Sequence, residues 1–143
     1  MKIKFKKLRK SAILPKYGSA EAAGMDLVYT GEDDIRIPCD EVVKVPIGVS
    51  CEIPEGHFGM VCSRSGNVAN LGLVVANQPG IVDSDYRGEL GVLLTHVGPN
   101  FTTIKSGRRI AQMIIMPYVK GEVVEGDLGE TERGSGGFGS TGK

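Results

Sequence analysis

Apolar residues along this 143-residue chain fall in short runs separated by glycine, proline, asparagine and aspartate, and almost nowhere at helical spacing. Runs at Ile3–Leu8, Met25–Tyr29, Asp34–Ile37, Val42–Pro46, Val49–Ile53, Phe58–Cys62, Leu73–Val75, Gly80–Val82, Glu89–Thr95, Thr102–Ile104, Ile110–Tyr118 and Lys120–Glu125 read as β-strands, each short and bounded by turn formers. Only Arg64–Leu71 suits a helix, of one or two turns, with Ser63 or Ser65 as its cap and Gly72 as its stop. A sheet with so little helix to cover it must bury its apolar face against another sheet. The predicted fold class is therefore all-β, a jelly-roll-like sandwich or barrel with one short helix. Near Gly126 the pattern stops, residues 126–132 are acidic and turn-like, and a glycine-rich segment follows. The expected organisation is a β domain over residues 1–132 and a flexible C-terminal arm over 133–143, because glycine loses the most conformational freedom on ordering.

Charge changes this picture only locally. Lys plus Arg and Asp plus Glu both number 17, so the formal net charge is zero and no global field selects nucleic acid or membrane. Lys2, Lys4, Lys6, Lys7, Arg9 and Lys10 crowd the start around Ile3, Phe5 and Leu8. Their alternation reads as an edge strand guarded by lysine, with a nucleic-acid-binding arm as the other reading. Cys39, Cys51 and Cys62 are odd in number and form no CxxC pair, which argues against a disulfide framework or a zinc site and for a reducing compartment. His57 and His96 have no metal-ligand spacing and read as loop or strand-surface residues. No apolar run reaches the ~20 residues of a membrane span, and none follows the basic start as in a signal peptide, so a soluble, cytoplasmic protein is expected.

Four stretches carry more chemistry than scaffolding requires. Ser63-Arg64-Ser65-Gly66 puts a cation and two hydroxyls at the start of the short helix, where unpaired amides favour an anion; an ordinary helix cap has the same composition. Asn77-Gln-Pro-Gly80 reads as the turn of a hairpin, and Asp83 and Asp85 fall on one face if the following strand continues. Two such carboxylates suit a general base, a metal or a solvated turn. Gln112 interrupts the apolar run Ile110–Met116, and when buried it needs a backbone or a ligand partner. Arg133–Lys143 combines an arginine, the Phe138 ring, Ser140 and Thr141 on a glycine backbone, a composition that suits a solvated tail or a segment ordered by an anionic ligand with a flat ring. Gly134, Gly136 and Gly139 also spell GxGxxG, but no strand leads in and no helix follows.

In this order, Ala23-Gly-Met-Asp26-Leu27, Ser63-Arg-Ser-Gly66, Gly80-Ile-Val-Asp-Ser-Asp-Tyr-Arg-Gly88, Gly107-Arg-Arg-Ile-Ala-Gln112 and Arg133-Gly-Ser-Gly-Gly-Phe-Gly-Ser-Thr-Gly142 resemble the five motifs of the homotrimeric dUTP pyrophosphatase (dUTPase) family. The resemblance implies hydrolysis of dUTP to dUMP and pyrophosphate by water attacking the α-phosphorus, which limits uracil incorporation into DNA and supplies dUMP for thymidylate synthesis. It implies that Asp83 activates the water and that Asp26 supports the catalytic arrangement. Arg64, Ser65, Gly66 and Gln112 would hold the phosphates. Asn77, with the backbone of Gly80 and Val82, would read uracil, and Tyr86 would pack on the deoxyribose and exclude a 2′-hydroxyl. Arg133, Phe138, Gly139, Ser140 and Thr141 would close over the nucleotide as a lid, Phe138 on the base and the hydroxyls near the γ-phosphate. It further implies Mg2+ held mainly through the triphosphate and water, with no direct protein ligand, and a homotrimer with shared active sites. Neither membrane nor direct nucleic-acid binding is expected.

Ser63, Met25 and Asn67 depart from the family's common residues, Asn67 replacing an apolar one behind the phosphate helix, and Gln78-Pro79 sits in the base-reading turn. The competing readings are a dCTP deaminase, whose deamination residues are not found here, a single-strand binder using the basic start and the Arg/Gly tail, and a jelly-roll protein that uses nucleotide as a switch.

Overall fold

The structure is a computed structural model in which residues 1–137 are described. Its elements are β1 (Lys4–Lys7), β2 (Lys16–Tyr17), β3 (Met25–Val28), β4 (Ile35–Pro38), β5 (Val43–Pro46), β6 (Val49–Glu52), β7 (His57–Cys62), α1 (Ser65–Leu71), β8 (Leu73–Val75), β9 (Gly80–Val82), β10 (Gly91–His96), β11 (Phe101–Ile104) and β12 (Arg109–Pro117). The strands form a jelly-roll-like sandwich. One sheet runs β2-β3-β12-β7-β9, another β5-β10-β8, and two further pairs are β1-β6 and β4-β11. Every ladder between these strands is antiparallel.

The period of two explains the core. In β10, Val92 and Leu94 are buried while their neighbours are less so, and Val45 of β5, opposite Val92, is buried with them. Leu27, Ile37, Ile104 and Met113 complete the interior from other strands. Burying each such side chain contributes about 1.5–3 kcal/mol. Strand β12 breaks the alternation once: its register with β3 shifts between Arg109 and Ala111, and both Ile110 and Ala111 are buried. A bulge of this kind re-aims neighbouring side chains, here opposite Val28 and Leu27, next to Asp26.

At the chain start, β1 pairs only with β6 among the described residues, and Lys4 donates to Glu52 at 2.8 Å, so the lysine-guarded edge strand is observed. Three expectations are corrected. Lys120–Glu125 forms no strand: no ladder takes it among the described residues, and Val119 and Val123 stand 97% and 98% exposed. Leu73–Val75 and Gly80–Val82 are strands but not a hairpin, because β8 pairs with β10 and β9 with β7, so the turn between them crosses from one sheet to the other. Neither serine caps α1. Its N-cap is Arg64, which makes no side-chain cap bond, while the Ser63 hydroxyl accepts the Val75 amide at 2.8 Å and Ser65 is already helical. Gly72 does end the helix, at φ 58°, a left-handed conformation that suits glycine, and its amide donates to the Val68 carbonyl at 3.0 Å. Strand β2, only two residues long, carries no periodic signal and was not expected from the pattern.

Candidate active site

Three strands of the large sheet bring the first group of predicted residues together. Gln112 on β12 lies opposite Asp26 on β3 and, on its other side, opposite Cys62 on β7, directly before Ser63 and Arg64. Side chains directly opposite in a sheet share a face, so the ladder itself fixes this grouping. Asp26 pairs with Arg64 Nε at 2.7 Å and accepts a hydrogen bond from Arg109 Nη1 at 3.2 Å, its side chain only 14% exposed. One carboxylate thus stands between two guanidiniums, leaving a net positive charge and the Arg64 Nη donors for an anion. Gln112 Nε2 donates to the Ser63 carbonyl at 3.0 Å, which orients the amide and satisfies it in part. The glutamine packs on Gly24, where a Cβ would stand 2.7 Å from its Oε1. Asp26, Arg64, Ser65, Gly66, Arg109 and Gln112 line a cavity of about 230 Å³, a cradle on the scale of a phosphate chain.

Behind this cradle, Asn67 is 3% exposed and its Nδ2 donates to the carbonyls of Arg109 at 2.8 Å and Ile110 at 3.3 Å. A polar residue is therefore at home where an apolar one was the common choice. It fastens α1 to the bulge of β12. Gln78 serves the same region, its Oε1 accepting the Ser63 amide at 2.6 Å.

The second group lies elsewhere. Asp83 follows β9, whose Val82 is opposite Gly59, while Arg64 lies beyond the far end of β7. At about 3.3 Å per residue, Asp83 and Arg64 of one chain stand roughly 15–20 Å apart. Asp83 lines a different cavity, of about 950 Å³, with Asp85, Arg87, Phe58 and Tyr118 among its walls. Strand β9 stops at Val82, so Asp83 and Asp85 are in a turn rather than on one face of a continued strand. Tyr86 is 44% exposed and its hydroxyl donates to the Glu89 carbonyl at 3.0 Å. Asn77 is exposed beside Gly80. Arg133 is exposed, its Nε donating to the Gly136 carbonyl at 2.8 Å, and Phe138, Gly139, Ser140 and Thr141 lie outside the described residues.

Comparison with known proteins decides between the readings. The dUTPase family profile matches residues 10–142. This chain belongs to the dUTPase family. Relatives include the deoxyuridine 5′-triphosphate nucleotidohydrolases of Gloeothece citriformis, 46% identical with 99% of this chain and 97% of that protein covered, and of Rickettsia felis, 44% identical with 98% and 96% covered. Among solved structures, the Staphylococcus bacteriophage 80alpha dUTPase with dUPNHPP superposes with a TM-score of 0.84 at 26% identity, covering 99% of both chains. The dUTPase of phage phi11 of S. aureus shares the fold, with a TM-score of 0.78 at 21% identity over 90% of this chain and 98% of its own, and that structure is described for its coordination of a structural Mg(II) ion.

Within the cradle, two residues had not been singled out from the sequence. Arg109 was visible as half of an arginine pair, but only the bulge shows that it, rather than Arg108, reaches Asp26. Gly24 stood inside the first motif, and its function as the floor under Gln112 depends on a cross-strand contact that no local pattern carries. No helix among the described residues is long and apolar enough to cross a membrane. Cys39, Cys51 and Cys62 are free thiols.

Proposed function

We propose that this protein hydrolyses dUTP to dUMP and pyrophosphate, with Arg64, Ser65, Gly66 and Gln112 binding the triphosphate of one site, Asp26 supporting that arrangement by holding Arg64, and Asp83 of a second copy supplying the base. The observation that carries this reading is the cradle in which Asp26 fixes Arg64 beside Gln112, set in a chain of the dUTPase family. Arg64 and the Ser65 hydroxyl stabilise charge on the phosphate oxygens as the α-phosphorus is attacked, and Gln112 donates to a further oxygen. Asp83 takes a proton from the attacking water, whose oxygen bonds to the α-phosphorus as the bridge to the β-phosphate breaks and pyrophosphate leaves. Holding water and phosphorus in line supplies much of the acceleration.

Asn77 and the Gly80 and Val82 backbone read uracil, since a cytosine would leave buried donors and acceptors unpaired. Tyr86 packs on the sugar. Residues 133–143 act as a lid, with Arg133, Phe138, Gly139, Ser140 and Thr141 on the nucleotide. Mg2+ fits this donor set as a passenger of the triphosphate, because the cradle's carboxylate, Asp26, is already paired with two guanidiniums; when bound it neutralises phosphate charge.

A homotrimer with shared sites is part of the reading. Its support is the separation of Asp83 from Arg64 within one chain, together with exposed Ile81, Met116, Tyr118 and Val119, apolar groups that a neighbouring copy would cover. The free thiols agree with a cytoplasmic setting. The deciding experiment is pyrophosphate release from dUTP, dTTP, dCTP and UTP in parallel. Release from dUTP alone is expected. Uridine nucleotide formed from dCTP, or tight dUTP binding without turnover in magnesium, overturns the assignment.

A further inference from the structure

The turn that carries Asp83 and Tyr86 is held from outside at one end by a pair that the proposed chemistry does not use. Its internal bonds only tie the turn to itself: the Tyr86 amide donates to the Asp83 carbonyl at 3.2 Å, and Arg87 Nη1 donates to the carbonyls of Ser84 at 2.6 Å and Tyr86 at 3.1 Å. The anchors to the body lie at Glu89 and Leu90. Leu90 donates to Val49 at 2.8 Å and accepts from Ile47 at 3.1 Å, both through backbone. Glu89 Oε1 accepts the Gly48 amide at 2.7 Å and pairs with Arg9 Nη1 at 3.0 Å. Arg9 Nη2 in turn donates to the Pro46 carbonyl at 3.2 Å, so a residue from the basic start bridges the β5–β6 turn and the end of the Asp83 turn.

Gly48 is shaped to this arrangement. Its φ of 76° favours glycine, and a Cβ there would stand 2.7 Å from Arg9 Nε and 2.8 Å from its Cζ, so the guanidinium lies where a side chain would be. From Glu89 the constraint passes directly to the sugar-facing ring, because the Tyr86 hydroxyl donates to the Glu89 carbonyl and the ring folds over Gly88, where any Cβ would collide with it.

We infer that Arg9 and Glu89 are positioning residues that set the Tyr86 ring, and through it the discrimination between deoxyribose and ribose. The inference rests on the dUTPase reading for its substrates. Geometric control of this kind acts on selectivity more than on the chemical step, since a displaced ring loses contact with the sugar of dUTP and admits a 2′-hydroxyl while Asp83 keeps its own chemistry. The basic start of the chain thus has one member, Arg9, that faces inward.

The test compares wild type with Arg9→Met, Arg9→Lys and Gly48→Ala, measuring kcat and KM for dUTP and UTP and hydrogen exchange at the Tyr86 and Leu90 amides. Arg9→Met keeps length and apolar contact but drops the charge. It is expected to lower the dUTP-to-UTP ratio of kcat/KM by about tenfold, chiefly through KM, and to speed exchange at both amides. Arg9→Lys, retaining a cation for Glu89, recovers part of the ratio, and Gly48→Ala reproduces the loss by displacing the guanidinium. An unchanged ratio and unchanged exchange in Arg9→Met overturn the inference. So does equal loss on both substrates accompanied only by a lower melting temperature. A wild type idle on dUTP defeats the activity assignment instead, and exchange at Tyr86 and Leu90 then still decides whether Arg9 holds the turn.

Discussion

At the scale of single residues, Asp26 acts on the proposed phosphate cradle through its two ion pairs and not by contact with phosphate. Its carboxylate fixes Arg64 and Arg109 at once, so Asp26→Asn leaves both guanidiniums without an anionic partner. The expected outcome in steady-state assays is a fall in kcat/KM for dUTP of about 100-fold, the scale of misplacing a positioning group, with the fold intact by circular dichroism. Asn67 makes the complementary prediction on stability. Asn67→Ala strips two buried carbonyls of their donor and should lower unfolding free energy by about 1–3 kcal/mol in urea titrations. These two residues also mark what the sequence can say. The Ala23-Gly-Met-Asp26 motif identified Asp26 through resemblance, whereas its partners come from registers between strands distant in the chain. Asn67 looked like a departure from pattern because its acceptors, on Arg109 and Ile110, are more than forty positions away.

At the scale of elements, strand positions were legible because alternation and turn residues are local, while pairing was not. The Asn77–Gly80 turn has the composition of a hairpin, yet β8 and β9 take partners in different sheets: β8 joins β10 and buries Leu73 and Val75, while β9 joins β7 and leaves Ile81 exposed. Lys120–Glu125 carries two adjacent valines between turn formers, but no strand among the described residues lies beside it to pair with. Strands β6 and β7 carry a prediction of their own. Burial pushes the Cys51 thiol up, against a smaller lowering effect of the Arg87 charge, and burial also raises the Cys62 thiol. A thiol raised in the folded state resists ionisation that the unfolded chain allows, so its stabilising contribution is complete below the ordinary thiol range and is lost as pH climbs above about 8.5. Melting temperature should therefore decline through that range, and a Cys51→Ser, Cys62→Ser chain should show a shallower decline. Equal slopes in the two chains would contradict it.

At the scale of the whole molecule, one chain carries the Asp26–Arg64 cradle and, apart from it, the Asp83 turn to which the proposed function assigns base, sugar and water. A chain ending at Glu132 keeps every described strand and should fold and assemble as the full chain does by light scattering, while kcat/KM for dUTP falls by about 100-fold for want of the closing segment. Full activity in that chain would remove the lid from the mechanism. The distance between Arg64 and Asp83 has a genetic consequence as well. Two defective alleles of this protein, Arg64→Ala and Asp83→Asn, are each expected to be inactive alone, yet chains of both kinds refolded together should complement. A site that draws its cradle from one copy and its base from the next is intact in about a quarter of random pairings, so the mixture should regain roughly a quarter of wild-type turnover. The inheritance of such alleles would then follow the architecture of the assembly: two lesions that are recessive apart would rescue one another in one cell.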